Sequence, residues 1–91
     1  MTSCTVIVSN PLGLHARAAA RFVHAAGAFA AHIRVACGGR EMDGKSIMGL
    51  LLLGASQGSV ITLSADGADE QAALDALSQL VSQGFEQVSC A

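Results

Sequence analysis

The stretch Asn10-Pro11-Leu12-Gly13 constrains this chain more than any other. Asn, Pro and Gly so close together end whatever regular element precedes them. Before the break, Ser3 to Val8 is rich in Thr, Val and Ile and reads as a strand. After it, an alanine-rich run from Ala16 to about Ala26 reads as a helix. The fold must therefore seat a helix directly behind its first strand. Ala19, Phe22, Val23 and Ala26 follow the i, i+3, i+4, i+7 pattern and are its expected buried face. Arg17, Arg21 and His24 form another stripe, either a solvated face or a binding one. Gly27 is the expected terminator.

The remaining pieces are short and well punctuated. His32 to Cys37 alternates, with Ile33, Val35 and Cys37 on one face, as in a strand with one wet side. Gly38-Gly39 permits a tight hairpin into a returning strand, Arg40 to Asp43. Gly44 breaks that strand, and Ser46 is an N-cap candidate. Ile47, Leu50 and Leu51 keep helical spacing, and Gly54 can end a short helix there. A buried strand is the alternative; abundant Leu and scarce β-branched residues favour the helix. Val60 to Ser64 reads as a strand, and Asp66-Gly67 turns the chain. Asp69 is the expected cap of the last helix, with Glu70 complementing its dipole. Ala73, Leu74, Leu77, Leu80 and Val81 make its apolar stripe, Gly84 ends it, and Phe85 to Ala91 is a short tail. The order β-α-β-β-α-β-α, with a hairpin in the sheet, implies an α+β two-layer sandwich.

The totals exclude several function classes. The chain has 91 residues, enough for a single small domain over residues 1–91 with a modest core. A net charge of -2 argues against nucleic-acid binding, which needs a basic face. No apolar run reaches membrane-span length, and the longest, Ile47 to Leu53, is interrupted by Gly49. Met1-Thr2-Ser3 does not begin a signal peptide, so a cytoplasmic monomer without membrane insertion is expected. Cys4, Cys37 and Cys90 are odd in number and scattered, which suits free or buried thiols in a reducing cytosol. His15, His24 and His32 lack ligand spacing and neighbouring Cys or carboxylate clusters, so neither a metal nor another cofactor is expected.

His15 carries the chemistry. It sits at or beside the N-cap of the first helix, where backbone N–H groups have no intrahelical partner. Those donors and the macrodipole favour an anion. Arg17 adds a planar donor fork suited to phosphate. Neutral imidazole is a good nucleophile near neutral pH, and beside an anion cradle it suits a phosphohistidine. On these residues alone, a surface histidine that caps a helix is the favoured reading. Ser46, likewise, is fully accounted for as a plain N-cap.

Gly13-Leu14-His15-Ala16-Arg17 resembles the active-site signature of the HPr family, the phosphocarriers of the bacterial phosphoenolpyruvate-dependent phosphotransferase system. Gly44-Lys45-Ser46-Ile47-Met48-Gly49 resembles the family's regulatory-serine segment, and Gly67-Ala68-Asp69-Glu70 the start of its last helix. The resemblance runs from Val6 to about Gly84. Ala18 departs from the proline common after the arginine, in a way familiar among proteobacterial members. The resemblance implies an HPr-like open-faced sandwich, a four-stranded antiparallel sheet with three helices on one face. It implies that His15 accepts a phosphoryl group on Nδ1 from phospho-enzyme I and passes it to an enzyme IIA-type protein, with Arg17 stabilising the phosphate. It implies Ser46 as a target of an HPr kinase/phosphorylase. Ile47, Met48 and Leu51, together with Arg21 and His24, are the candidate docking residues, although core burial is the simpler reading for at least two of the apolar three.

Three functions compete on this basis. One is a stoichiometric carrier without turnover of its own, in sugar uptake or a nitrogen-related branch. Another is a regulatory interaction module controlled at Ser46, against which an intact His15 and Arg17 argue. The last is a small metal- or ligand-binding domain, for which the sequence offers no constellation.

Overall fold

Alternation in the strands decides which way the sheet faces. In the computed structural model, which describes residues 1–84, the elements run β1 (Thr2–Ile7), α1 (Ala16–Ala26), β2 (His32–Cys37), β3 (Arg40–Asp43), α2 (Ile47–Leu53), β4 (Val60–Asp66) and α3 (Glu70–Ser82). The tail expected from Phe85 onward, with Cys90, lies outside the described residues. One four-stranded sheet has the order β1-β4-β2-β3, and every neighbouring pair is antiparallel. Ile33 and Val35 of β2 and Ile61, Leu63 and Ala65 of β4 point to one face and are buried. The opposite face pairs Ser3 with Ser64 and Thr5 with Thr62, and carries His32 and Arg34, both exposed. All three helices cover the apolar side. Helix α3 packs on β1 and β4, α2 on β3 and β2, and α1 leans on the other two helices.

The core is aliphatic, with one aromatic centre. Phe22, Ile33, Leu50, Ile61, Leu63 and Leu77 are its largest fully buried side chains. Full burial of each such side chain contributes about 1.5–3 kcal/mol. On α1, Ala19, Phe22 and Ala26 are buried as their spacing predicts; Ala18 joins them, while Val23 is only half-buried. The first strand starts and ends one residue before the expected Ser3–Val8. Val8 nevertheless continues its pairing, donating to Ser59 O at 2.9 Å and accepting from Gly58 N–H at 2.8 Å. Strand β4 runs on past the expected Ser64 to Asp66. Cys4 and Cys37 are half-buried free thiols, and burial, with the charge of Asp75, pushes the Cys4 thiol up.

Asp69 departs from expectation in an informative way. It occupies the N-cap position of α3 but makes no side-chain capping bond. Its carboxylate instead accepts from the backbone N–H groups of Ala30 and Ala31, both at 2.8 Å. Glu70 Oε1 accepts from Gly67 N–H at the helix start instead. Lys45 grips the same α1–β2 loop, donating from Nζ to Phe29 O at 2.7 Å. Two facing amides outside the helix outcompete one amide within it, because charge-assisted bonds to oriented donors are the stronger kind.

The amide of Ala30, above all, holds the Asp69 carboxyl below its ordinary value of 3.8; the Ala31 amide and the Lys45 charge add to this, against partial burial. The clamp therefore contributes its full stability above the unfolded value and loses it as pH falls through the lower folded value. Asp69→Asn is expected to be less stable than the parent at neutral pH, and the gap should close in acid below 3.8. Urea unfolding of both chains across that range checks this; a gap of constant size would remove the carboxylate from the argument.

Candidate functional site

The loop between β1 and α1 is shaped by its own short hydrogen bonds. Asn10 O accepts from Gly13 N–H at 3.1 Å, closing a turn with Pro11 and Leu12 at its tip. Pro at the second position of such a turn is pre-set for it. Gly13 then adopts φ +64, and a Cβ there would overlap the Ala55 carbonyl oxygen and press on Ser56 Cα at 2.9 Å. Leu14 N–H donates to that same Ala55 carbonyl at 2.9 Å, and the Leu14 side chain is buried. The loop thus lies backbone to backbone against the segment after α2.

This seating delivers His15 to the N-cap of α1, in extended conformation with φ −79 and ψ 176. The His15 carbonyl accepts the first helical bond from Ala19 N–H at 2.9 Å. Its imidazole Nδ1 accepts from Arg17 N–H at 3.2 Å. Nδ1 is therefore the unprotonated nitrogen in this arrangement, and its lone pair faces the open end of the helix. His15 is half-buried and Arg17 exposed. An open cavity of about 290 Å³ is lined by Asn10, Pro11, Leu12, His15, Arg17, Ala18, Arg21 and Gly84. No acidic residue stands in the first turn of α1. The imidazole, the start of the helix and the guanidinium groups therefore share one open surface, which suits an anion.

The other histidines lie elsewhere. His24 is exposed in the last turn of α1, and His32 is exposed on the open sheet face opposite Asp66. Among the described residues no three His, Cys, Asp or Glu side chains gather to hold a metal ion.

Ser46 stands at the N-cap of α2, and its Oγ accepts from Gly49 N–H at 3.1 Å. The expectation that at least two of Ile47, Met48 and Leu51 would be buried is corrected here. They are 41%, 68% and 36% exposed, while Gly49, Leu50 and Leu53 face inward. Gly49 is the reason: a Cβ there would crowd Met42 Cβ at 3.3 Å, so this bare face is the one that fits against β3. Leu52 and Leu12 are also largely exposed, and sequence reasoning did not single out either. A leucine at the tip of a Pro-containing turn cannot reach the core, and that was the available signal for Leu12.

Comparison with known proteins agrees with this geometry. The sequence profile described as "PTS HPr component phosphorylation site" matches residues 2–83. The chain belongs to the HPr family of the phosphotransferase system. The phosphocarrier protein HPr of Cupriavidus necator is 47% identical over 78 residues, covering 86% of this chain and 88% of that one. That of Xylella fastidiosa is 48% identical over 82 residues, covering 90% and 92%. Among solved structures, HPr-C-His from Thermoanaerobacter tengcongensis superposes with a TM-score of 0.90 at 44% identity, covering 97% of this chain and all 100% of that one. The phosphocarrier protein HPr from Bacillus anthracis gives 0.85 at 41% identity, covering 88% and 95%. The HPr fold and its β-α-β-β-α-β-α order are thus those expected from sequence. In this HPr-family chain no helix among the described residues is long and apolar enough to cross a membrane.

Gly13→Ala is expected to destabilise the fold by about 2 kcal/mol or more, combining a left-handed φ with overlap against Ala55. Gly54→Ala is the control, since φ there is +60 but nothing lies within 4 Å of the added Cβ. It should cost only the backbone part, about 1 kcal/mol. Chemical denaturation of the two variants measures the difference; equal losses would show the loop lifting off Ala55 freely.

Proposed function

We propose that this chain is a stoichiometric phosphocarrier. His15 accepts a phosphoryl group from phospho-enzyme I, itself charged by phosphoenolpyruvate, and hands it to an enzyme IIA-type protein. The observation that supports this most is His15 Nδ1 facing the Arg17 N–H at the start of α1, at 3.2 Å. The Nδ1 lone pair attacks phosphorus; the new N–P bond forms as the bond from phosphorus to the donor's leaving atom breaks. The phosphoryl oxygens then take over the Arg17 amide that Nδ1 had engaged. Arg17 neutralises charge on the group in transit. The cavity is open, so the group is held by partial charges rather than enclosed, as a carrier requires. The chain supplies a nucleophile and a cradle but no turnover of its own, and it works as a cytoplasmic monomer in either the sugar or the nitrogen-related branch.

Docking follows the same surface. Ile47, Met48 and Leu51, joined by Leu52 on the same helix, form an exposed apolar area, and Arg21 and His24 are the candidate contacts on α1. Enzyme I and the acceptor would cover it in turn. Ser46 supports a second reading, control by an HPr kinase/phosphorylase, because it starts the same helix that carries Ile47 and Met48. A phosphate there adds about -1.5 to -2 charges beside the docking area.

His15→Ala should abolish labelling from enzyme I and labelled phosphoenolpyruvate, while His24→Ala and His32→Ala should keep it. The label should be lost in acid and survive base, as for a phosphoramidate. Labelling of His15→Ala would sink the carrier reading.

Ser46→Asp should weaken docking to enzyme I by repulsion, with a loss that shrinks as salt rises from about 0.05 to 0.5 M. A loss independent of salt would mean a packing change in α2 instead.

A further inference from the structure

The Gly13 carbonyl is held from two sides. His15 N–H donates to it at 3.0 Å, and Asn10 Nδ2–H donates to it at 2.7 Å. A carbonyl oxygen has two lone pairs, and both are in use. The turn is closed by a separate bond, Gly13 N–H to the Asn10 carbonyl. The Asn10 side chain is not required for that closure. What it adds is a fixed direction for the Gly13 carbonyl, and so for the peptide plane that leads through Leu14 to His15.

The other end of this amide is unusual. Asn10 Oδ1 is buried without a hydrogen-bond partner among the described residues. Buried polar atoms are nearly always paired, and an unpaired one calls for an explanation. A side chain kept only to fill space there would avoid the penalty by being apolar. The donor end is the part with a task, and Asn10 lines the cavity that holds His15.

We propose that Asn10 is a positioning residue for the His15 acceptor. Its amide donor orients the Gly13 carbonyl, and the His15 N–H bonded to that carbonyl keeps Nδ1 over the Arg17 amide. The assignment rests on the phosphocarrier reading of His15. Asn10→Asp replaces the donor by an oxygen of the same shape. Ionised, that oxygen repels the Gly13 carbonyl; protonated, its O–H donates to the same carbonyl. At neutral pH the variant therefore keeps the shape of the side chain and loses its donor.

The test uses the full chain, its Asn10→Ala and Asn10→Asp variants, enzyme I and labelled phosphoenolpyruvate. At neutral pH both variants should lose about 10- to 100-fold in kcat for phosphate acceptance with KM for the chain little changed, as for a misplaced reacting atom. The Arg17 backbone amide resonance should shift in both, because its bond to Nδ1 is broken. An unchanged kcat, a rise in KM alone, or an unmoved Arg17 amide overturns the proposal. If Asn10→Ala does not fold, Asn10→Asp carries the test by itself, and an unchanged kcat or an unmoved Arg17 amide in that variant overturns the proposal. The resonance needs no phosphoryl transfer. A parent chain that takes no label sinks the carrier reading, whereas an Arg17 amide that stays put sinks the role of Asn10.

Discussion

The contact on which the site depends is backbone against backbone. Gly13 and Leu14 lie on Ala55 and Ser56, close enough that no Cβ fits between them, and one amide bond crosses the junction. This contact fixes where α1 begins. It also ties the loop before α1 to the segment after α2, so the two helices carrying His15 and Ser46 are set relative to each other by main chain. Main-chain contacts of this kind do not repack as side chains do. The imidazole is thereby placed without being buried, since the anchoring is done by Leu14 and the residues around it. The ring remains on the outside of a rigid support.

The three helix starts are treated differently, and the difference follows function. Helix α3 begins with Asp69 and Glu70, which complement its dipole. Helices α1 and α2 have no acidic residue in their first turns. Helix α1 has Arg17 there, which the dipole by itself disfavours. Its positive end is left for an incoming anion to complement. The proposed carrier role makes sense of a helix start that would otherwise be poorly matched to its own field.

Much of this was legible in the chain. Alternation in His32 to Cys37, the Gly38-Gly39 hairpin and the caps at His15 and Ser46 are local effects, and local rules found them. What escaped was set by distant partners. Asp69 looks like a cap because capping is a sequence-local rule; its true donors are 38 and 39 residues away. The outward face of α2 was misjudged because nearly every residue from Ile47 to Leu53 is apolar, so the pattern has no phase. Only the close approach of Gly49 to Met42 selects which side turns inward. The strand order was likewise hidden, since nothing in β1 says that it pairs with the last strand rather than with β2. Asn10 was legible as a turn residue, but the bond from its amide to Gly13 was not.

That strand order has a kinetic side. Among the described residues, β4 is the one strand that β1 pairs with, Thr2 lying opposite Ala65 and Ile7 opposite Val60. The first strand made therefore waits for the last, and Gly13 and Leu14 wait for Ala55. Such long closures raise contact order and slow folding. During synthesis α1 can form its turns early, but the platform that aims His15 is complete only when nearly the whole chain has been made. A partly made chain that lacks β4 thus has the histidine without the platform that seats it.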